Sequence, residues 1–295
     1  PRHKLADSPL GLYEKALPAM EWPRILAEAG ELGFDFVEMS IDESDERLAR
    51  LDWSGSERKE FSEAVRLSGL RVPSICLSGN RRYPLGSTDP AISEAGSELI
   101  RKGVDLAVDT GVRIIQLAGY DVYYEEPSTR ETKERFTVAL GEAVEYAAGR
   151  GVMLAMEVMD TRLMSSISRF LYYRGRIRSP WFTVYPDLGN LSAWNDNAPE
   201  ELDLGLRLGV VSAIHLKDTY PVTGDSPGQF RDVPFGEGCV DFDTLFDVLK
   251  RHRYTGQFLI EMWNRKGEEE IRKVESSRAW ILRKLREADS RGSLR

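Results

Sequence analysis

The chain has 295 residues, with 40 Lys and Arg against 48 Asp and Glu, for a formal net charge of -8. An acidic balance of this kind argues against a dedicated nucleic-acid partner and against an anionic membrane surface. The length suits one or two domains, and an α/β barrel of this size is ordinary as a single one.

Short apolar runs alternate with helical patterns along the chain. Strands are predicted at PLGLYEKA (9–16), FDFVEMS (34–40), VPSICLS (72–78) and RIIQLAG (113–119). Four more are predicted at VMLAMEVM (152–159), FTVYPDLGN (182–190), VSAIHLKDT (211–219) and GQFLIEMW (256–263). Between them, EWPRILAEAGELG reads as a helix closed by Gly33, a C′ glycine. DPAISEAGSELIRKGVDLAVDTG starts on an Asp-Pro pair and stops at Gly111. STRETKERFTVALGEAVEYAAGRG opens with Ser128 three residues before Glu131, a capping-box spacing. DFDTLFDVLKRHRY and EEEIRKVESSRAWILRKLREA supply two further helices.

Strand–helix alternation repeated eight times predicts parallel strands with crossover helices, closed as a (β/α)8 barrel. The expected organisation is one TIM-barrel domain over residues 1–295, with a disordered tail from about residue 288. The loop at 220–238, rich in Gly, Pro and Asp, follows the seventh strand and is long enough to be functional. Two cysteines, Cys76 and Cys239, allow no disulfide framework and read as small buried hydrophobes. The opening PRHKLADSPLGLYEKALP has no apolar h-region, and no apolar run nears the ~20 residues of a membrane span. A cytoplasmic protein is expected, with no membrane or nucleic-acid partner.

Side chains on barrel strands alternate between lumen and helix layer. On the fifth strand this turns Val152, Leu154, Met156 and Val158 outward, and Met153, Ala155 and Glu157 inward. Carried through the next three strands, the same alternation turns Asp187, His215 and Glu261 inward, at the C-terminal end where barrel active sites form. Three carboxylates and an imidazole converging there must either take up protons or bind a cation. A divalent ion is the simpler answer, and three oxygen donors with one nitrogen suit Mn, Co, Mg or Zn. A single strand glutamate can instead be a satisfied core residue. The shared parity of all four weighs against that, provided the strand registers are right.

GLYEKALP, LGFDFVEMSIDESDERLARLDWS, RVPSICLSGNRRYPLGS, IQLAGYDVYYEE, MEVMD, YPDLGNLSAW, HLKDT, VPFGEGCVDF and FLIEMW carry a resemblance over nearly the whole chain. The sequence resembles the xylose-isomerase-like TIM barrels, the superfamily of sugar isomerases, epimerases and endonuclease IV. Within it, the likeness is to the L-ribulose-5-phosphate 3-epimerases. The resemblance implies one divalent metal held by Glu157, Asp187, His215 and Glu261, with no departure at any of the four. It implies that Glu157 and Glu261 are also the two catalytic acid/base groups, exchanging the C3 proton of a phosphorylated pentulose through an enediolate. A homodimer is expected. Only three histidines are present, His3, His215 and His252, which does not suit the histidine-rich trinuclear zinc site of endonuclease IV.

Lys217 shares the parity of His215 and reads either as a substrate contact or as a salt bridge among the carboxylates. Glu38, also of lumen parity, would order a substrate hydroxyl or Lys217, and Asn190 is a third candidate substrate contact. A phosphate needs cations or backbone N–H donors. Lys15, Arg81 and Arg82 follow the first and third strands on the catalytic side, and the FGEG turn (235–238) is a weaker candidate. Asp160 is left to the loop without a role. Epimerisation or aldose–ketose isomerisation of another ketose, and a non-catalytic sugar-binding barrel, are the competing readings. The last expects a broken ligand position, and none is broken.

Overall fold

The computed structural model describes residues 3–265 and 267–291. Eight parallel strands make the barrel: β1 (Leu10–Tyr13), β2 (Phe36–Ile41), β3 (Ser74–Leu77), β4 (Ile114–Leu117), β5 (Met153–Glu157), β6 (Phe182–Tyr185), β7 (Ile214–Leu216) and β10 (Phe258–Ile260). Their hydrogen-bonded order runs β6-β5-β4-β3-β2-β1-β10-β7. The parallel bridges Val184↔Val211 and Asp187↔His215 then join β6 to the β7 segment and close the ring. Between β7 and β10 the chain makes an antiparallel hairpin, β8 (Asp218–Tyr220) with β9 (Gln229–Val233). The long loop predicted at 220–238 therefore contains an ordered strand.

Helices surround the barrel: α1 (Trp22–Glu31), α2 (Asp45–Leu48), α3 (Gly55–Ser68), α4 (Pro90–Thr110), α5 (Arg130–Ala148), α6 (Ile167–Arg176), α7 (Leu188–Trp194), α8 (Ala198–Arg207), α9 (Phe242–Arg251) and α10 (Glu268–Ser290). Their ends follow the chain chemistry. Gly33 and Gly111 terminate α1 and α4 at φ +82° and +80°, a region costly for any residue with a Cβ. Asp89 caps α4 by accepting from the Ala91 N–H, with Pro90 at the first helical position. The box before α5 lies one residue later than expected. Thr129 accepts from the Thr132 N–H while the Thr132 hydroxyl accepts from the Thr129 N–H. Ser128 instead donates to Asp121.

The alternation read from the sequence holds. Val152, Leu154, Met156 and Val158 pack with the helices in the large core, together with Phe182, Val184, Ile214, Leu216, Phe258 and Ile260. Two small clusters fill the lumen: Tyr13, Phe36, Cys76 and Leu259 against Trp263, and Ala155, Tyr185 and Ala213. Fully burying each large aliphatic side chain contributes roughly 1.5–3 kcal/mol, so the outer layer holds the strands in register. Cys76 is buried as expected, whereas Cys239 is half-buried, its sulfur 3.6 Å from the Thr219 hydroxyl.

Disorder expected from about residue 288 meets a helix that continues to Ser290. Ala288 is fully buried, and the Asp289 carboxylate accepts from the N–H groups of Leu5 and Ala6, tying the helix end to the chain start. Residues 292–295 lie outside the described residues. Among the described residues, no helix is long and apolar enough to cross a membrane.

Candidate metal centre

Four consecutive strand ends deliver one side chain each to the catalytic mouth of the barrel. Glu157 is the last residue of β5. The strand predicted over 182–190 stops at Tyr185, and Asp187 is the N-cap of α7. Its Oδ1 accepts from the Asn190 N–H at 2.7 Å, which fixes the carboxylate and leaves Oδ2 aimed at the lumen. His215 sits in the middle of β7, and Glu261 is the first residue past β10. All four are buried, and one ligand atom from each lies within 4.8 Å of the others.

Proximity alone makes the cluster costly. His215 Nδ1 faces Glu157 Oε1 at 3.3 Å and Asp187 Oδ2 at 3.8 Å. Its Nε2 is 3.0 Å from Glu38 Oε1, and Glu38 in turn accepts from the Ser74 hydroxyl at 2.5 Å. Lys217 Nζ bridges Glu261 Oε2 at 2.8 Å and Asp187 Oδ2 at 3.3 Å. Thus Glu38 holds His215 and does not reach Lys217, and Lys217 is the salt-bridged core of the carboxylate group. Gly189 makes this possible. A Cβ there would lie 2.7 Å from the Lys217 side chain and 2.9 Å from its carbonyl, so α7 can approach β7 only with glycine at that turn.

Four carboxylates face two basic side chains, and protonation reflects the shortfall. Burial, reinforced by Glu261, pushes Glu157 up. Burial pushes Asp187 up to about 7, against the pull of Lys217. Glu261 is buried too, yet Lys217 and His215 bring it down to about 2. His215 pays a desolvation cost that Glu38 and Glu157 more than offset, so its pKa stands well above the usual imidazole range. Asp187 Oδ2, although buried, makes no hydrogen bond and is met only by the loose ion pairs to Lys217 and His215. A buried carboxylate oxygen short of hydrogen bonds, an imidazole nitrogen turned toward it and excess negative charge together fit a divalent cation. Glu157, Asp187, His215 and Glu261 would be its ligands, with Glu38 orienting the histidine from behind.

The remaining expected site residues lie outside the four-residue cluster, and Lys15, Arg81 and Arg82 meet the 42–45 segment after β2. Asn190 donates from Nδ2 to the Val158 carbonyl at 2.8 Å, tying α7 to the end of β5, and its buried Oδ1 is without a partner. Lys15, in the turn after β1, is bound to Asp42 at 2.6 Å. Arg81 lies against Tyr120 and Tyr123 with Glu43 at 3.7 Å, and Arg82 pairs with exposed Asp45 at 2.5 Å. FGEG is occupied by the protein itself: the Gly236 and Gly238 N–H groups donate to Asp218 Oδ2 at 2.9 and 3.0 Å, removing that turn as an anion site. Asp160 accepts from the Tyr120 hydroxyl.

Two mouth residues escaped the sequence reading. Trp263 stacks edge-on to Tyr13 and lies 5.4 Å from Lys217 Nζ, and Arg231 of β9 lies over the same indole at 4.5 Å. Trp263 follows Glu261 by two, so lumen parity was its available signal. Arg231 had none, because the hairpin carrying it was read as loop.

The family model for xylose isomerase-like TIM barrels matches residues 26–284. The chain is 54% identical to SgbU of Escherichia coli strain K12 over 280 residues, covering 95% of this chain and 97% of that protein. It is 50% identical to the L-ribulose-5-phosphate 3-epimerase UlaE of Escherichia coli O139:H28 over 281 residues, covering 95% and 96%. The crystal structure of D-allulose 3-epimerase from Methylomonas sp. superposes with a TM-score of 0.74 at 19% identity, over 96% of this chain and 99% of that one, a likeness of fold. From the closed barrel, the four-residue cluster and these alignments together, the chain belongs to the L-ribulose-5-phosphate 3-epimerase family of the xylose isomerase-like TIM barrels.

Proposed function

We propose that this protein interconverts L-ribulose 5-phosphate and L-xylulose 5-phosphate by removing the C3 proton and returning one to the opposite face. What carries the reading is the buried set Glu157, Asp187, His215 and Glu261, intact in a chain half-identical to an epimerase of that name. A divalent ion held by the four residues, whether Zn, Mn, Co or Mg, would act as a Lewis acid, offsetting the negative charge that grows on the sugar oxygens.

The chain's own residues supply the proton path. Glu157 and Glu261 come from β5 and β10, three places apart in the eight-strand ring, so a sugar seated between them meets one carboxylate on each face. They are electrostatically unequal: burial favours the proton on Glu157, and Lys217 keeps Glu261 ionised. In one direction Glu261 takes the C3 proton and Glu157 delivers its own. In the other, the roles exchange. Lys217 holds Glu261 and Asp187 in place and stands ready to meet a substrate oxygen. Tyr13 and Trp263 wall the mouth and limit water. The same reading takes the chain as one barrel domain working as a cytoplasmic homodimer, and sedimentation equilibrium tests the dimer.

The deciding experiment is solvent exchange. L-ribulose 5-phosphate incubated with the protein in D2O should gain deuterium at C3, followed by NMR, with metal present and not after EDTA. Lack of wash-in with every one of the four metals would overturn the epimerase reading.

A further inference from the structure

Ser74 is the first residue of β3 and lies on the lumen side of its strand, two before Cys76 of the lumen cluster. The parallel pairing of Met39 with Ile75 and Ser40 with Cys76 sets Ser74 beside Glu38 on the neighbouring strand. Glu38 divides its two oxygens. Oε1 meets His215 Nε2 at 3.0 Å, and Oε2 accepts from the Ser74 hydroxyl at 2.5 Å. Ser74, Glu38 and His215 are each 0% exposed, so bulk water has no access to either contact. Tyr185 packs edge-on against the imidazole, with ring centroids 4.5 Å apart. Glu38 is on β2 and His215 on β7, three places apart in the ring, so this contact crosses the lumen and no strand pairing fixes it.

We propose that Ser74 is a positioning residue for the metal centre: its hydroxyl fixes the Glu38 carboxylate and, through it, the direction in which His215 presents Nδ1. The last torsion of a glutamate is broad, and a charge-assisted hydrogen bond to one oxygen narrows it. With Oε2 held by Ser74, Oε1 stays in line with Nε2–H. The imidazole then keeps Nδ1 toward Glu157 Oε1 and Asp187 Oδ2, at 3.3 and 3.8 Å. Alanine at 74 would leave a buried carboxylate oxygen without its donor, a costly arrangement. Turning toward another donor moves Oε1 off the Nε2–H line and loosens the bond that keeps His215 a well-aimed ligand. Ser74 touches neither the sugar nor the four-residue cluster in this scheme, and acts only through Glu38.

This inference rests on the divalent-ion reading above, so its first readout is metal affinity, independent of turnover. Competition for Mn with a chelating dye should show affinity about 10-fold lower in Ser74→Ala than in wild type, with the far-ultraviolet spectrum unchanged. Ser74→Cys, which keeps similar shape and a weak donor, should lose less. In a Glu38→Gln background, Ser74→Ala should add little further loss, because the two residues act as one unit. At saturating Mn, C3 exchange of L-ribulose 5-phosphate by Ser74→Ala should return to near the wild-type rate, since no proton passes through the hydroxyl. Wild-type Mn affinity in Ser74→Ala would overturn the proposal, as would an equal loss in the Glu38→Gln background or an exchange defect that saturating Mn does not restore. A wild-type protein that binds no Mn would sink the ion reading and this one with it. Mn affinity that depends on Ser74 through Glu38, with no C3 exchange in wild type, would sink the epimerase reading and leave the positioning role standing.

Discussion

His215 Nε2 and Glu38 Oε1 meet at 3.0 Å with both side chains fully buried, so the imidazole is held from behind by a carboxylate that is not itself in the four-residue cluster. The contact fixes which nitrogen faces the site: Nε2–H donates to Glu38, and Nδ1 turns to Glu157 and Asp187. Glu38→Gln keeps the shape but loses the charge that makes the histidine a strong donor ligand. Metal affinity, measured by competition with a chelating dye, should fall about 10- to 100-fold with the far-ultraviolet spectrum unchanged. An affinity equal to wild type would show that Glu38 is only a packing residue.

Glu157→Gln and Glu261→Gln should each lower C3 exchange about 100- to 10,000-fold, the range for removing a positioned acid or base. Rates are to be compared at saturating metal, since both residues also belong to the proposed ligand set. If either glutamine variant exchanges deuterium at the wild-type rate, that residue does not handle the proton.

Metal should stabilise the protein more at high pH than at low. Asp187, raised to about 7, and Glu157, also raised, bind protons in the folded state that the unfolded chain has already released. The metal-free protein therefore loses stability as pH rises from about 4 to about 7. His215, raised well above its usual range, acts in the same sense, its contribution fading as pH climbs. A bound divalent ion replaces those protons. Scanning calorimetry with and without metal should show a Tm gain that grows from pH 6 to pH 8. A gain that shrinks over that interval would count against metal binding at this cluster.

A separate acid-sensitive tie lies on the β1–β2 side. Asp42 is partly buried, yet its bonds to Lys15 and Ser44 bring it down to about 2. Its contribution, about 2 kcal/mol, is present above the ordinary aspartate range and disappears as pH falls from about 4 through about 2. Lys15→Met should remove much of it, lowering the urea midpoint at pH 7 while narrowing the gap to wild type near pH 2. Parallel curves at both pH values would remove Lys15 as the cause.

Much of this was legible in the sequence because barrel strands obey a period of two. Eight apolar runs gave eight strands, and parity alone brought Glu157, Asp187, His215 and Glu261 to one end. Strand ends were less legible. PDLGN looked like a continuing strand, but Asp187 caps a helix starting at Leu188, because its short acceptor side chain reaches the Asn190 N–H. The capping box before α5 was misplaced by one residue, since Ser128 and Thr129 are both competent caps and only tertiary contact with Asp121 separates them. The ion-pair partners of the phosphate candidates were not legible from their loop positions. Lys15 and Arg82 have carboxylates in reach that are distant in sequence, Asp42 and Asp45. Arg231 lies on the β8–β9 hairpin, an irregular pairing that no local pattern reveals.

Asp187 spends one carboxylate oxygen on the backbone of α7 and offers the other to the cluster. Helix start and ion site are therefore mechanically one part. Charge arriving at Oδ2 is felt by the α7 backbone through Oδ1, and α7 carries Asn190, whose amide grips the end of β5 beside Glu157. Occupancy of the centre should thus be audible in amide exchange at Asn190 and Leu191, several residues along the chain from the ligand itself. Asp187→Asn, which can still cap but brings no negative charge, is the substitution that separates the two duties of one side chain.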